Sequence, residues 1–196
     1  DENKKMQLYE VIYDDSLWLI NLVENLLSVT RIEDGKMNLH LETELIEEVI
    51  NEALNHISHK KDEHRIEVKA NDEFILAKID AGLIIQVIIN IVDNAIKYTP
   101  KGSMISIETF KHKDFVEIQI ADDGAGISDK DKEKLFEMFY TVKHEVIDGR
   151  RGLGLGLALC KAIIVAHGGN IAVKDNIPHG TIFSFTLPIK EVEIHE

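Results

Sequence analysis

The sequence predicts an α/β two-layer sandwich, in which a mixed sheet carries helices on one face, preceded by one long bundle helix. Residues 3–34 contain neither Pro nor Gly and repeat apolar side chains at helical spacing. After Gly35 the pattern changes to short strands and helices of medium length. Because the strands outnumber the helices and occur in hairpin-like pairs, we expect a mixed sheet with the helices on one side.

The composition is that of a folded protein without general affinity for nucleic acid. The 196 residues are 44% apolar, which is enough for a core within one or two domains. Lys and Arg total 22 against 35 Asp and Glu, and the net charge of −13 argues against a nucleic-acid partner. The single cysteine, Cys160, excludes an intrachain disulfide and favours a reducing, cytoplasmic setting. The longest apolar run, 81–92, is shorter than the roughly 20 residues that span a bilayer.

One long helix is predicted for the N-terminal domain, residues 1–35. About 32 residues at about 1.5 Å per residue extend roughly 48 Å, which is long for a helix on a small core and typical of a bundle. Gly35 followed by Lys36 predicts the helix end, so the second domain is expected to be 36–196. No basic and apolar leader follows Asp1, so we expect no signal peptide and a chain excised from a longer protein. The apolar stripe consists of Leu8, Ile12, Leu19, Leu22, Leu26 and Val29.

Alternating polarity and turn residues predict the elements of the second domain. Val116, Ile118 and Ile120 alternate with polar residues, so one face of their strand is expected to be covered and the other wet. Turns within 110–116 and 176–181 are expected to make two hairpins. The predicted order is strand 37–42, helix 44–58, strands 65–70 and 74–79, helix 81–98, strands 103–111 and 115–121, helix 129–138 capped by Ser128, loop 139–153, helix 154–167, and strands 170–175 and 181–187.

Two glycine-rich turns lie at the edges of regular elements, where backbone amides can approach a ligand. The first, 122–127 with the sequence Asp-Asp-Gly-Ala-Gly-Ile, follows an apolar strand, and its glycines permit left-handed backbone angles. The second, 152–157 with the sequence Gly-Leu-Gly-Leu-Gly-Leu, follows Arg150 and Arg151 and runs into a helix. Amides at a helix start together with guanidinium groups favour a phosphate. Taken alone, the first turn also fits a plain strand-to-helix connection.

A dinucleotide-binding fold is the alternative interpretation of the second turn. Asp175 ends the next strand about 20 residues further on, where a ribose-binding acid would lie. Residues 140–151 are polar and lack a strand pattern, and the third glycine of that fingerprint would fall on Leu157. This alternative is therefore disfavoured. A P-loop is excluded because the sequence contains neither Gly-Lys-Ser nor Gly-Lys-Thr.

A stripe of amides and one cation lies on the otherwise apolar helix 81–98. Asn90, Asn94 and Lys97 are four and three residues apart, hence on one helical face, with Tyr98 beside them. These groups can coordinate a metal ion and its bound phosphates, and the aromatic ring can cover a base. The alternative is the wet face of an ordinary amphipathic helix. Together with the two glycine turns, the stripe favours a nucleotide site.

These motifs, in this order, resemble the sequence boxes of sensor histidine kinases, whose ATP-binding domain has the Bergerat-type fold. Residues 90–98 are similar to the asparagine box, and residues 25–33 are similar to the second helix of the dimerisation hairpin. Residues 139–151 and 159–161 further resemble the potassium-responsive Kdp subfamily. Four further segments resemble the remaining boxes, namely Asp122-x-Gly124-x-Gly126-Ile127, Phe136-x-x-Phe139, Gly152-x-Gly154-x-Gly156-Leu157 and Gly180-Thr181-x-Phe183.

The resemblance implies a site for ATP and Mg²⁺. It implies that Asp122 accepts a hydrogen bond from the adenine amino group and that Asn90 reaches the magnesium ion. Asn94 and Lys97 are implied to contact the phosphates, and Lys97 to assist the transfer. The residues implied to surround adenine are Tyr98, Gly124, Gly126, Ile127 and Thr181. Those implied to close on the β and γ phosphates are Arg150, Arg151 and the amides of Gly152, Leu153, Gly154, Leu155, Gly156 and Leu157. Residues 139–153 are implied to form the ATP lid, and the residues implied to be catalytic are Asn90, Lys97, Arg150 and Arg151.

Asn90 separates two kinds of chemistry within the wider superfamily. Gyrase, Hsp90 and mismatch-repair relatives carry a glutamate at this place as a general base for water, whereas an amide cannot take a proton. The resemblance therefore implies transfer of the γ-phosphoryl group to a histidine, and then to an aspartate of a response-regulator receiver domain. The alternatives are a serine protein kinase of the same fold, and a non-catalytic module that binds nucleotide to lock a dimer.

The phosphate-accepting histidine is expected to lie upstream of this sequence. None of the nine histidines has the sequence context of the family's acceptor. We therefore expect the second helix of a dimerisation hairpin in 1–35 and a whole ATP-binding catalytic domain in 36–196. Because its apolar stripe needs a partner, the N-terminal helix is expected either to self-associate as a homodimer or to be disordered over the first 30 residues. Family habit implies the cytoplasmic region of a membrane-anchored sensor.

Overall fold

A computed structural model describes part of the N-terminal region, at positions between 2 and 23, and residues 39–57, 64–69, 74–142 and 154–189. The chain divides into two compact units, Asp1–Met37 and Asn38–Glu196.

The described positions between 2 and 23 are helical, as the periodicity predicts. The Ser16 hydroxyl donates to the Ile12 carbonyl oxygen one turn earlier, at 2.7 Å. Members of the predicted apolar stripe, Leu8, Ile12 and Leu19, are more than half exposed in this unit. The end of the predicted helix and its stop at Gly35 lie outside the described residues.

The second unit is an α/β sandwich, which confirms the predicted fold class. Its larger sheet has the strand order β2-β4-β5-β7-β6, with β2 parallel to β4 and the other neighbours antiparallel. Strands β1 and β3 form a separate antiparallel pair. The elements are β1 Glu42–Leu45, α1 Ile46–His56, β2 Arg65–Lys69, β3 Leu76–Ile79, α2 Ala81–Tyr98, β4 Met104–Lys111, β5 Phe115–Asp122, α3 Asp129–Lys132, α4 Gly156–Ala166, β6 Ile171–Asp175 and β7 Thr181–Pro188.

The core lies between one face of the five-stranded sheet and the helices α1, α2 and α4. Helix α2 packs against both α1 and α4, and it also contacts β4 and β5. Along β5 the apolar residues Val116, Ile118 and Ile120 are buried, whereas Glu117 and Gln119 are partly exposed on the other face. This confirms the predicted alternation. Within the described part of the chain, α2 is also the one helix long and apolar enough to cross a membrane, and its apolar side is buried in this core.

Hydrogen bonds at Asp80 join the start of α2 to the end of α4. The Asp80 carboxylate caps α2 by accepting from the Leu83 N–H at 3.3 Å. The Asp80 N–H donates to His167 Nε2 at 3.1 Å, so this ring nitrogen is an acceptor. His167 Nδ1 then carries the hydrogen and donates to the Ile163 carbonyl oxygen at 2.8 Å. The two helices that carry the nucleotide motifs are thus linked at the ends away from the Asn94 and Tyr98 side chains.

Several predicted boundaries are wrong, among them those of the helix predicted at 44–58, which runs from Ile46 to His56. The first strand is at 42–45 rather than 37–42, and it pairs with β3 outside the main sheet. The helix predicted at 129–138 ends at Lys132, after which turns lead to Phe139. Helix α4 begins at Gly156 rather than at 154, because Gly154 has a φ of +69° that no helix can contain. Ser128 caps α3, as predicted, by accepting from the Asp131 N–H.

Candidate nucleotide-binding site

Asp122 lies at the end of β5, where the main sheet meets the first glycine turn. Its Oδ1 atom accepts the Gly124 N–H at 2.9 Å and the Thr181 N–H at 3.2 Å. The Asn176 side chain donates to the Asp122 carbonyl oxygen at 2.8 Å. Because β5 and β7 are antiparallel neighbours, Asp122 comes beside the start of β7. The carboxylate is therefore held in one orientation by backbone groups of two different turns.

Asp122 is 8% exposed, and this burial dominates its electrostatics. Burial raises the pKa of the carboxyl group, because a charge loses its hydration there. The N–H groups of Gly124 and Thr181 oppose this by stabilising the charged form, and the nearby Asp123 adds to the increase in pKa. A buried carboxylate that keeps acceptor capacity is suited to an amino group of a neutral base.

Three glycines allow the backbone around Asp122 to pack closely. A Cβ atom at Gly124 would lie 2.7 Å from the Thr99 methyl carbon and 2.9 Å from Asp122 Oδ1. Gly126 and Gly180 both have positive φ angles, of 79° and 116°. A Cβ atom at Gly126 would lie 3.3 Å from the Gly180 carbonyl oxygen, and one at Gly180 would collide with the Asp122 carbonyl oxygen. The turn after β5, which contains Gly124 and Gly126, and the turn before β7, which contains Gly180, therefore pack closely against each other.

The polar stripe of α2 is partly buried. Asn90, Asn94 and Lys97 are each intermediate in exposure, and Tyr98 is 41% exposed. The Lys97 ammonium group lies 5.2 Å from the centre of the Tyr98 ring. Partial burial of Tyr98 raises the pKa of its hydroxyl. The stripe thus combines amides, a cation and an aromatic face on one side of α2, as the spacing predicts.

Asn90 faces the start of α4. A Cβ atom at Gly156 would lie 3.5 Å from Asn90 Oδ1, so this glycine leaves space beside the amide. Asn90 Nδ2 is buried and has no hydrogen-bond partner among the residues that the structure describes. A buried polar atom without a partner is uncommon and calls for a ligand or another explanation. The amide therefore fits a role in contact with a bound group.

Cys160, on α4, is a neighbour of Asn90 on α2. Its thiol is fully buried and is 3.8 Å from the Val87 carbonyl oxygen of α2. Burial raises the pKa of the Cys160 thiol to about 12, an effect that the neighbouring Asn90 side chain opposes. A buried neutral thiol between two helices fits a packing role for Cys160.

The two ends of the predicted lid are joined at its base. The Phe139 N–H donates to the Gly154 carbonyl oxygen at 3.0 Å. A Cβ atom at Gly154 would lie 2.7 Å from Tyr140 N, so only glycine fits there. The Tyr140 hydroxyl donates to Asp131 Oδ1 at 2.7 Å, which raises the pKa of the tyrosine. Nearby, the ring of Phe136 contacts the edge of Phe183 on β7.

The start of α4 offers backbone N–H groups without a side-chain cap. Leu155, the residue before the helix, makes no capping hydrogen bond through its side chain. Unpaired N–H groups at a helix start and the helix dipole favour an anion. Within the described residues, the helix start is represented by Gly154, Leu155, Gly156 and Leu157. The predicted phosphate contacts of Arg150, Arg151, Gly152 and Leu153 lie outside the described residues.

Helix α2 brings the two glycine turns together. Thr99, which follows its last residue, lies beside Gly124, and Asn90, in its middle, lies beside the space left by Gly156. Thr181 lies in the same region, because its N–H donates to Asp122 Oδ1. Ile127, at the end of the first glycine turn, is half-buried. Sequence reasoning missed Thr99 and its buried partner His64, which are discussed below. The position of Thr99 between Tyr98 and Pro100 at a helix end was the available signal for a cap, although not for a contact with Gly124.

Known proteins resemble most of this chain in sequence. Residues 79–191 match the family described as "Histidine kinase-, DNA gyrase B-, and HSP90-like ATPase". The sensor protein KdpD of Clostridium acetobutylicum is 43% identical over 188 residues, which cover 96% of this chain and 21% of that protein. The sensor histidine kinase WalK of Bacillus subtilis is 33% identical over 196 residues, covering 97% of this chain and 32% of that protein. The chain thus spans between a fifth and a third of these curated relatives.

Solved structures of histidine kinases have the same fold. The histidine kinase AdeS of Acinetobacter baumannii is 26% identical with a TM-score of 0.76, covering 94% of this chain and 85% of that one. ShkA in complex with AMPPNP is 25% identical with a TM-score of 0.72, covering 87% and 35%. ThkA in complex with the response regulator protein TrrA is 26% identical with a TM-score of 0.69, covering 88% and 49%. The resemblance of the motifs to sensor histidine kinases is confirmed, and the chain belongs to the histidine kinase-, DNA gyrase B- and HSP90-like ATPase family.

Proposed function

We propose that this chain is the catalytic ATP-binding region of a two-component sensor histidine kinase. The observation that carries the proposal is that α2 lies beside both glycine motifs: a Cβ atom added at Gly124 would lie 2.7 Å from the Thr99 methyl carbon, and one added at Gly156 would lie 3.5 Å from Asn90 Oδ1. One helix thereby holds a base-binding turn and a phosphate-binding helix start at fixed positions along its length. The 43% identity to the sensor protein KdpD supports a finer proposal, that the parent protein is a potassium sensor of the Kdp subfamily.

Adenine is recognised by Asp122 and its surroundings. The Asp122 carboxylate accepts from the adenine amino group, while Thr181 and Gly124 fix its orientation through their N–H groups. Gly124 and Gly126 keep side chains out of the space that the base enters beside Ile127. Tyr98, at the end of α2, covers the ring. The hydrogen-bond donor that distinguishes adenine from guanine at this position is its amino group, so the carboxylate selects adenine.

The phosphates are held between α2 and the start of α4. Asn94 and Lys97 contact them from α2, and the N–H groups of 154–157 contact them from α4, with Arg150 and Arg151 closing from the lid. Asn90 provides an amide oxygen, a ligand type that Mg²⁺ accepts. When bound, magnesium neutralises negative charge on the β and γ phosphates. Asn90 Oδ1 borders the space left by Gly156 and is the atom that fits such a group, whereas the buried Nδ2 is a donor suited to a phosphate oxygen.

The reaction is transfer to a histidine rather than hydrolysis. Asn90 has no basic atom that could take a proton from water, so the site offers positioning and charge stabilisation. The acceptor histidine lies on a helix upstream of 1–35, and residues 1–35 are the second helix of a dimerisation hairpin that joins two copies. The phosphoryl group then passes to a response-regulator aspartate. The ThkA–TrrA complex of a structural relative supports such a partner.

The location follows from this assignment. The proposed reaction uses ATP and a soluble receiver domain, so 36–196 operates in the cytoplasm. By analogy with the sensor proteins that it resembles, the parent protein is anchored in the membrane.

Calorimetric titration with AMPPNP, with and without Mg²⁺, tests the nucleotide site. We expect Asp122→Ala to abolish measurable affinity, because it removes the adenine acceptor. Asn90→Ala should retain binding but lose the dependence of affinity on Mg²⁺. Equal affinity of Asp122→Ala and the unmodified chain would contradict the assignment of the base pocket.

Phosphorylation of a separate dimerisation hairpin distinguishes the kinase from its alternatives. With labelled ATP, the chain alone should acquire no acid-labile label, whereas a supplied hairpin with its acceptor histidine should become labelled at that histidine. Acid-stable label on serine would support the serine kinase of the same fold. Tight nucleotide binding without any transfer would support the non-catalytic module.

A further inference from the structure

His64 is buried at the start of β2, close to the end of α2. The side chain is 9% exposed, and the following residue, Arg65, is anchored by its N–H to the Ser103 carbonyl oxygen at 3.0 Å. His64 Nε2 lies 3.1 Å from Thr99 Oγ1. His64 Nδ1 is buried and lacks a hydrogen-bond partner among the residues the structure describes. Burying a histidine in this way costs free energy, so its presence calls for a reason.

The hydrogen bonds of Thr99 determine which nitrogen of His64 carries the hydrogen. Thr99 Oγ1 lies 2.6 Å from the Ala95 carbonyl oxygen, which can only accept, so the hydroxyl donates there. A hydroxyl has one hydrogen, and therefore Thr99 Oγ1 accepts from His64 Nε2–H. The ring is assigned as the tautomer with the hydrogen on Nε2, and Nδ1 is left as a lone-pair acceptor.

These two hydrogen bonds determine the orientation of the Thr99 side chain. With Oγ1 held between Ala95 and His64, the Thr99 methyl group is directed at Gly124. A Cβ atom at Gly124 would lie 2.7 Å from that methyl carbon, so the methyl group bounds one side of the turn. The Gly124 N–H is in turn one of the two backbone donors to Asp122 Oδ1. A continuous chain of contacts therefore runs from His64 through Thr99 and Gly124 to the carboxylate.

We propose that His64 is a positioning residue for adenine recognition, acting through Thr99 on the Gly124 turn that orients Asp122. This proposal rests on the function proposed above and adds a residue to it that touches neither nucleotide nor metal. His64 restricts Thr99 to the one rotamer that supports the turn. Without that restriction, Gly124 and Asp122 sample orientations in which the carboxylate no longer meets the adenine amino group.

The geometry separates this role from simple packing. If His64 only filled space, an apolar side chain of similar size would serve as well or better, because it leaves no buried atom unpaired. Replacing it leaves no donor of Thr99 unsatisfied, since the hydroxyl still donates to Ala95. His64→Leu is therefore expected to keep its thermal stability and to lose affinity, whereas replacement of a histidine that only filled space would leave both the stability and the affinity unchanged.

The experiment measures AMPPNP affinity by calorimetry, and the hydrogen exchange of the Gly124 amide by NMR without nucleotide. The variants are His64→Leu, His64→Gln, Thr99→Val and the double variant His64→Leu/Thr99→Val. His64→Gln retains an N–H donor, and Thr99→Val removes the hydroxyl while it keeps the methyl group. The matched control is His112→Leu, at a largely exposed histidine that stacks on Phe115 in the β4–β5 turn.

One net hydrogen bond corresponds to a loss of roughly fivefold in affinity for His64→Leu, with faster exchange at Gly124. Thr99→Val should lose a similar factor, and the double variant should lose no more than either single variant, because both act on one contact. His64→Gln should recover most of the affinity, and His112→Leu should match the unmodified chain. Thermal unfolding confirms that each variant is folded, and Thr99→Val carries the test if His64→Leu fails to fold.

Two results would overturn the proposal. One is unchanged affinity and unchanged Gly124 exchange in both His64→Leu and Thr99→Val. The other is additive losses in the double variant, which would show that the two residues act independently. A different result separates this inference from the function on which it rests. If the unmodified chain binds no AMPPNP while Gly124 exchange still responds to His64→Leu, the contact chain stands and the nucleotide assignment fails.

Discussion

The N–H of Thr181 donates to Asp122 Oδ1 across 59 residues of sequence, at 3.2 Å. The bond joins the end of β5 to the start of β7, which are neighbours in the sheet. Through this bond a backbone N–H of β7, a strand without charged side chains, stabilises the buried carboxylate. The orientation of Asp122 is therefore a property of the sheet as much as of its own turn.

Asp122→Asn is expected to bind AMPPNP more weakly and to unfold at a higher temperature. The amide places a donor where the adenine amino group needs an acceptor, and a lost bond to a charged group corresponds to about 1.5–3 kcal/mol, or roughly 10- to 100-fold in affinity. Burial raises the pKa of Asp122, so keeping the carboxylate charged costs folding free energy that a neutral amide does not cost. Calorimetry and thermal unfolding at pH 7 measure the two effects.

The sign of this stability effect can be checked with pH. A carboxyl group whose pKa is higher in the folded state contributes stability that is fully present below its unfolded pKa and is lost as pH rises through the folded pKa. The Tm advantage of Asp122→Asn should therefore shrink as pH falls toward 3.8, the ordinary aspartate value. A constant Tm difference across this range would contradict the burial effect.

Gly124→Ala is expected to reduce nucleotide affinity by about tenfold. Its Cβ atom would lie 2.7 Å from the Thr99 methyl carbon and 2.9 Å from Asp122 Oδ1, and overpacking of this kind costs about 1–3 kcal/mol. Gly82→Ala is the control, because the nearest atom there is 3.6 Å away, at Asp80 Oδ1, and the residue lies in a helix. That variant should bind normally. Equal affinities of the two variants, measured by titration, would argue against a packed turn.

Gly154→Ala is expected to destabilise the fold more than Gly102→Ala. Both glycines have positive φ angles, 69° and 87°, and alanine in such a conformation costs about 1–2 kcal/mol. At Gly154 the new Cβ atom would also collide with the backbone of Phe139 and Tyr140, whereas at Gly102 it meets no atom within 4 Å. The difference between the two unfolding free energies, determined with denaturant, isolates the collision and should be about 1–3 kcal/mol.

Cys160 is expected to resist thiol reagents until the domain unfolds. The side chain is fully buried, and burial raises its pKa to about 12, so the folded protein holds almost no thiolate at pH 8. Labelling by an uncharged maleimide should follow the unfolding transition in denaturant. Fast labelling under native conditions would show that the contact between α2 and α4 opens.

The same thiol adds a pH dependence at alkaline pH. Its stabilising contribution is present below the ordinary cysteine value of 9.0 and is lost as pH rises toward about 12. As the pH rises from 9.0 to about 12, the free energy of unfolding of Cys160→Ala should therefore fall less than that of the unmodified chain. It should also be less stable at pH 7, by about 1 kcal/mol, because a small cavity is left.

Periodic patterns predicted the elements that determine the site. The alternation at Val116–Ile120 located β5, and therefore the place of Asp122 at its end. The spacing of Asn90, Asn94 and Lys97 correctly predicted one face of α2. These predictions succeeded because burial on one side imposes a period of two on a strand and 3.6 on a helix.

Contacts between distant segments could not be predicted in this way. Strand β1 pairs with β3 because of tertiary packing, and four residues carry too little pattern to locate it. The residues after Lys132 have side chains that favour a helix, but their backbone hydrogen bonds hold them in turns. The contact between His64 and Thr99 spans 35 residues, and no local rule pairs a histidine with a helix cap at that distance.

The antiparallel register of β5 and β7 pairs Ala121 with Ile182, one position before Asp122. One inserted residue in either strand would turn every later side chain to the opposite face, so neither strand can change length without loss of the carboxylate's alignment. The exposed turn at 112–114 lies at the far end of β5, roughly 24 Å from Asp122 for an eight-residue strand. That turn is where a fluorophore or an affinity tag can be grafted while the nucleotide end of the sheet keeps its alignment.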